Sequence, residues 1–172
     1  MYETAEYDLV LAHTTKKLRL CASGEKHVLF RLGGVLFCLP AKNVRGVMGV
    51  GSMIPVGSSS FLLTGFLFCQ AKALPVFDIR PPLGLPAPAL SGKEEVLMLT
   101  LPSDARFRLG VIVESLENSC EIHADAVKNH AHSRIPRQFL RGVALCDDQE
   151  IIMLDLDFLI RPTALRRLSN IA

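Results

Sequence analysis

The residues best equipped for chemistry in this chain are His123, Asp125, His130 and His132, which spell H-x-D-x4-H-x-H. Imidazole and carboxylate together suit zinc or a similar ion. No motif fixes these four side chains on one face of an element, so solvated loop histidines are the expectation and no metal or cofactor is assigned. Cys38, Cys69 and Cys146 could each pair with a remote histidine as a thiol nucleophile. They sit in apolar runs such as VLFCLP and GFLFCQ, where apolar neighbours raise a thiol pKa and keep it protonated. Asp78 and Asp155 could act as paired carboxylates. Both end apolar strand-length runs, where a carboxylate more often caps a turn by accepting free backbone N–H bonds. The chain has no P-loop, no G-x-S-x-G and no dinucleotide fingerprint. No catalytic residue is assigned, and an enzyme is not expected.

Composition narrows the remaining classes. A length of 172 residues fits one domain or two tightly joined half-size units. With 49% apolar and 21% charged residues, the chain can bury a sizeable core and is not disordered. A formal charge of +2, with Lys16, Lys17 and Arg19 as the one tight basic group before the C-terminal tail, argues against a nucleic-acid partner. Five cysteines, Cys21 and Cys120 among them, form no C-x-x-C pair, and an odd count points to a reducing compartment. Glu3, Glu6 and Asp8 stand where a signal peptide would be basic, and no apolar run reaches membrane-spanning length. The expectation is a cytoplasmic chain with no direct membrane insertion.

Strands dominate the reading. Residues 1–25 form an extension that ends at Ser23-Gly24. HVLFRL and VLFCLP flank Gly33-Gly34 as a hairpin, FLLTGFLFCQAKALPVFDIR supplies a second strand pair, and PPLGLPAPALSG reads as a surface linker. EEVLMLTL and RFRLGVIVESL then flank PSDA, and RGVALCDDQEIIMLDLDFLI gives a last pair before the tail, residues 162–172. Gly65, Cys69, Leu74, Val76, Asp78 and Ile79 recur as Gly142, Cys146, Ile151, Met153, Asp155 and Leu156 at identical spacings. Two related halves follow, each of short strands, and sheets so small protect their edges best by closing into barrels.

The stretch from about residue 27 to 161 resembles the CheW-like chemotaxis adaptor family. FRLGGVLFCLP is similar to its opening hairpin, with Val44 and Val47 taking the apolar positions that follow. GFLFCQAKALPVFDIR resembles its core segment, retaining Gly65, Lys72, Leu74, Pro75, Val76, Asp78 and Arg80. RLGVIVESL matches a later strand through Gly110, Val113, Glu114 and Leu116, and RGVALCDDQEIIMLDLDFLI its close. The resemblance implies an all-β fold of two SH3-like five-stranded β-barrels packed together, with short helices. The domain would span residues 26–161 as two interleaved barrels, approximately 26–88 and 93–161.

The same resemblance implies a function and a surface. The partners would be the regulatory domain of a CheA-type histidine kinase and the cytoplasmic tip of a methyl-accepting chemoreceptor, with recruitment to membrane-associated receptor arrays. The protein-binding residues it implies are Val44, Val47, Gly65, Phe68, Gln70, Ala71 and Leu116. Where the family has Asn, Arg and a second Gly, this chain has Phe68, Gln70 and Ala71, and Gly46 replaces an acidic residue. A neutral amide replaces a multi-donor guanidinium there, roughly halving each hydrogen bond it takes over. The alternative is therefore a divergent CheW-like interaction protein of another chemosensory pathway, pilus or gliding motility, with reduced kinase coupling. The strip Val44, Val47, Met48, Met53, Ile54 is either docking surface or core.

Overall fold

The strand-length apolar runs become strands in the computed structural model, which describes residues 24–57, 62–128, 134–146 and 148–160. Most of the N-terminal extension and the whole C-terminal tail lie outside the described residues. The strands are β1 (Glu25–Leu32), β2 (Val35–Pro40), β3 (Val44–Gly49), β4 (Ile54–Pro55), β5 (Leu63–Cys69), β6 (Lys72–Phe77), β7 (Glu95–Thr100) and β8 (Arg108–Val113). They continue with β9 (Ser115–Leu116), β10 (Cys120–Ile122), β11 (Val127–Lys128), β12 (Leu140–Cys146) and β13 (Gln149–Leu154), before a short helix α1 (Leu156–Ile160). One sheet runs β10-β1-β2-β13-β12-β11, with β9 also on β1, and the other β3-β7-β8-β6-β5-β4.

The two edge strands of each sheet are consecutive in sequence. A three-residue 3-10 turn, Val50–Ser52, links β3 to β4, and another, Ala124–Ala126, links β10 to β11. Each sheet is thereby closed on itself by one kinked strand. Counted once, that strand makes each sheet the expected five-stranded SH3-like barrel.

The halves seen in the sequence are visible in the backbone. β5 and β6 recur 77 residues later as β12 and β13, with the same bounds and the same register shift, between Leu63 and Gly65 and between Leu140 and Gly142. The barrels, however, are not contiguous stretches on either side of residues 88–93. β1 and β2 lie against β13, joined by parallel β2–β13 pairing, while β7 and β8 lie against β6 through parallel β6–β8 pairing. Each half thus gives its opening hairpin to the barrel built from the rest of the other half.

This exchange explains why the hairpin strands carry continuous apolar runs. Val28, Phe30 and Leu32 of β1, Val35, Phe37 and Leu39 of β2, and Leu109, Val111 and Val113 of β8 point into one large core between the barrels. The alternate residues point the other way: Leu29, Leu36 and Cys38 line the first barrel, and Val96 and Ile112 the second. A strand buried on both faces reads as a continuous apolar run because its side chains alternate between two dry environments. Phe30 and Phe37 stack in the seam with ring centroids 5.8 Å apart.

The segment after β6 is not the bare surface linker expected. Leu83 and Leu85 are buried in the seam core. Asp78 and Arg80 hold its start: the guanidinium donates to both carboxylate oxygens at 2.8–3.2 Å, and its Nη2 also donates to the Pro88 carbonyl at 3.3 Å. The Asp78 carboxylate accepts the Arg80 backbone N–H as well, at 3.0 Å, so its local bond is to residue i+2 rather than to a helix end. Pairing with Asp78 pushes the Arg80 pKa further up. Its repeat partner Asp155 is a true cap, accepting the Phe158 N–H at 3.0 Å at the start of α1.

Hairpin exchange makes the barrels one cooperative unit. The full chain is expected to unfold in urea in a single transition, superimposable by circular dichroism and by a seam-reporting fluorophore. A fragment spanning residues 26–88 leaves Phe30, Phe37 and Phe77 without the partners they meet in the seam. It is expected to aggregate or to show no cooperative transition, and a soluble fragment with a cooperative melt would contradict this account.

Candidate protein-docking surface

The β5–β6 hairpin carries most of the residues singled out from the sequence. Its inward side chains, Leu67, Leu74 and Val76, fill the second barrel. Its outward face carries Phe66 and Phe68, two positions apart, opposite Pro75 and Ala73, and Ile54 of β4 lies opposite Phe66. Phe68 is 57% exposed and Ile54 56%, so two large apolar side chains stand in water on a rigid strand pair. Phe66 and Pro75 are half-buried and Ala73, opposite Phe68, is exposed.

Gly65 lies under this face. A Cβ there would stand 2.5 Å from the Ile54 carbonyl oxygen and 2.7 Å from Met53 Cγ, distances no side chain tolerates. The glycine lets β4 close against β5 and so places Ile54 beside the phenylalanines.

Gln70 and Ala71 form the two-residue turn, closed by the Cys69–Lys72 pair. Their φ values are 50° and 62°, the left-handed pair that a two-residue hairpin turn requires at both central positions. The β1–β2 hairpin meets the same demand with Gly33 and Gly34, φ 56° and 74°. With side chains, the left-handed conformation costs roughly 1–2 kcal/mol per residue. The turn is exposed, so Gln70 presents its amide to solvent from a strained but fixed position.

The remaining expected residues divide. Val44, at 2% exposed, lies in the seam core and offers no surface to a partner; the apolar position it fills serves packing. Val47 and Leu116 are half-buried at the rim of the seam, Leu116 pairing with Phe30 and donating its N–H to the Glu95 carboxylate at 3.3 Å. Of the strip from Val44 to Ile54, Met48 and Met53 pack against the interior of the second barrel and Ile54 alone is surface. Phe66, Ala73 and Pro75 were missed. Period-2 alternation from Phe68 would have found Phe66, and hairpin register the other two.

The candidates for chemistry are dispersed. His123 is half-buried and Asp125 exposed, while His130 and His132 lie outside the described residues. Among the described residues no three His, Cys, Asp or Glu side chains are placed to hold a metal ion. Cys38 and Cys120 are buried thiols inside the first barrel, and Cys69 is half-buried. Burial pushes the Cys38 thiol far above its ordinary pKa, and the Cys120 thiol adds to the effect, which removes its nucleophilicity at neutral pH. Cys21 and the Cys146 side chain are outside the described residues. No described helix is long and apolar enough to cross a membrane.

A family model described as the CheW-like domain matches residues 26–163. The chain belongs to the CheW-like domain family. It is similar to a probable chemotaxis protein CheW of Rhizobium etli, 21% identical over 138 residues, 79% of this chain and 87% of that protein. It is likewise similar to a chemotaxis protein CheW of Rhizobium meliloti, 21% identical over 146 residues, 84% of this chain and 92% of that one. The crystal structure of a scaffolding protein, TtCheW of Thermoanaerobacter tengcongensis, superposes with a TM-score of 0.72 at 21% identity, covering 88% of this chain and 99% of that one. That likeness establishes the two-barrel fold.

Replacing Ala71 with glycine is expected to raise stability by about 1 kcal/mol, because it relieves the left-handed strain. A shift of the urea midpoint with unchanged slope measures it. An unchanged or lower midpoint would mean that the turn carries no such strain.

Proposed function

We propose that this chain is a non-catalytic chemosensory adaptor whose outward β5–β6 face docks the regulatory domain of a CheA-type histidine kinase. A second contact takes the cytoplasmic tip of a methyl-accepting chemoreceptor, which recruits the cytoplasmic protein to receptor arrays. The observation that carries the docking face is Phe68. The fold has no use for a phenylalanine standing in water on a rigid strand, and exposed aromatic anchors beside apolar neighbours are the usual centre of a protein interface. The chemotaxis and scaffolding names of the relatives agree with this reading. An adaptor of this kind acts by mass action, holding kinase beside receptor so that receptor state reaches the kinase through contact geometry.

Gln70 favours a second reading. With an amide where the family carries a guanidinium, charge-assisted contact to a carboxylate is lost at the hairpin tip. On that reading the chain is an interaction protein of a pilus or gliding-motility pathway with reduced kinase coupling.

Titration against the regulatory domain of the CheA-type kinase and against receptor tips from the same genome separates the two. Under the first reading, Phe68→Ala weakens kinase binding by about tenfold or more, the loss of one interface hot spot, while the melting temperature stays put because the ring packs little in the free protein. Wild-type protein that binds receptor tips but not the kinase domain would replace the first reading with the second. Gln70→Arg would then be expected to restore kinase binding.

A further inference from the structure

On the other side of the Gln70-Ala71 turn, the second barrel carries an open groove of about 580 Å³. Its walls include Arg45, Lys72, Arg106 and Arg108, its floor Leu74 and Met98, and no carboxylate lines it. Several cations elsewhere face carboxylates: Arg31 meets Glu117, Lys42 meets Glu25, Arg80 meets Asp78, and Arg141 meets Asp155 and Asp157. In the groove only Arg106 has an acid nearby, Asp104 at 3.6 Å. Among the described residues the side chains of Arg45, Lys72 and Arg108 have no hydrogen-bonding or ion-pairing partner. Like charges gathered round a concave surface repel one another and call for a counter-charge.

Backbone irregularities set two of these side chains. Arg45 is the extra residue of a β-bulge between Val44 and Gly46, opposite the Leu99–Met98 step of β7, and bulges redirect a side chain out of the regular ladder. Lys72 is the first residue after the strained left-handed turn. The repeat shows that the fold does not require this charge. At the positions of Ala71, Lys72 and Ala73, the first barrel has Asp148, Gln149 and Glu150, between strands of the same bounds and register, with the opposite charge.

Four exposed cations spread over β3, β6, β8 and the loop before β8 suit an extended occupant better than a point anion, which needs donors converging on one spot. The half-buried Met98 on the floor adds an apolar contact. We propose that this groove takes an acidic, partly apolar segment of a partner protein, its carboxylates reaching Arg45, Lys72 and Arg108 and an apolar side chain covering Met98. The inference rests on the docking reading above and gives the chemistry of a second contact, which adjoins the Phe68 face at Ala73 and Gln70.

The test uses the full chain and a fluorescein-labelled peptide of repeated Glu-Glu-Leu, with its Gln-Gln-Leu analogue as control, read by anisotropy. The acidic peptide is expected to bind, with affinity falling as salt rises because exposed charges are screened beyond roughly 8 Å at physiological ionic strength. The glutamine analogue should not bind. The double variant K72E/R108E is expected to weaken binding by about tenfold or more and the neutral K72Q/R108Q by less, whereas K26E on the first barrel changes it by less than about twofold. Unchanged melting temperatures show that the variants are folded. Absent binding of the acidic peptide, equal binding by K72E/R108E and wild type, or full displacement by millimolar inorganic phosphate would each overturn the proposal. Should Phe68→Ala leave kinase binding intact while K72E/R108E loses the peptide, the Phe68 reading fails and the groove stands.

Discussion

Everything in this structure depends on the apolar seam between the barrels. A barrel of five short strands encloses only a handful of side chains, here Leu29, Leu36, Cys38, Cys120, Ile122, Ala144 and Ile151 in one and Val50, Leu67, Leu74, Val76, Val96 and Ile112 in the other. Interiors that small supply too little burial to offset the entropy of ordering so many residues. The seam removes that limit by using the outer faces of the same strands, so most apolar hairpin residues are buried on one side or the other. Exchange of hairpins between halves then ties the two small interiors to the large one. Leu83 and Leu85 extend the seam, and the Asp78–Arg80 pair fixes the chain that carries them.

Once the seam occupies one set of faces, little apolar surface remains for partners, which is why the exposed side chains are informative. Phe68 and its repeat counterpart Leu145, 57% and 46% exposed, occupy the same place on the two late hairpins, 77 residues apart. Only around Phe68 does the outward face continue through Phe66, Pro75 and Ile54. The barrels share a fold but not a surface. One hairpin tip carries Lys72 above a basic groove and the other Asp148 and Glu150. A repeated fold with different surfaces gives one rigid body faces of different chemistry, as an adaptor requires.

Local strain follows the same division. The Gly33-Gly34 turn pays no penalty for its left-handed backbone, whereas Gln70 and Ala71 hold that backbone with side chains attached. Strain of this kind persists where the surroundings over-determine it, and here the Cys69–Lys72 closure and the packed strands behind it do so. The bulge at Arg45 is a second departure from regular pairing beside the same groove.

The strands, the glycine turn, the internal repeat and the family were legible in the sequence alone, because alternation, turn chemistry and repeat spacing are local properties of the chain. The candidate surface was legible in part. Phe68, Gln70 and Ala71 could be found from their departure from the family pattern, but Val44 could not be assigned, since an apolar residue on a strand looks the same whether its face meets water or another barrel. Only the tertiary structure decided that Val44 and Leu83 are core and Ile54 is surface, that the hairpins are exchanged, and that Arg45, Lys72, Arg106 and Arg108 share one groove. Each of those facts depends on which strands lie side by side. That is set by burial summed over the whole chain, not by the order of residues within any one segment.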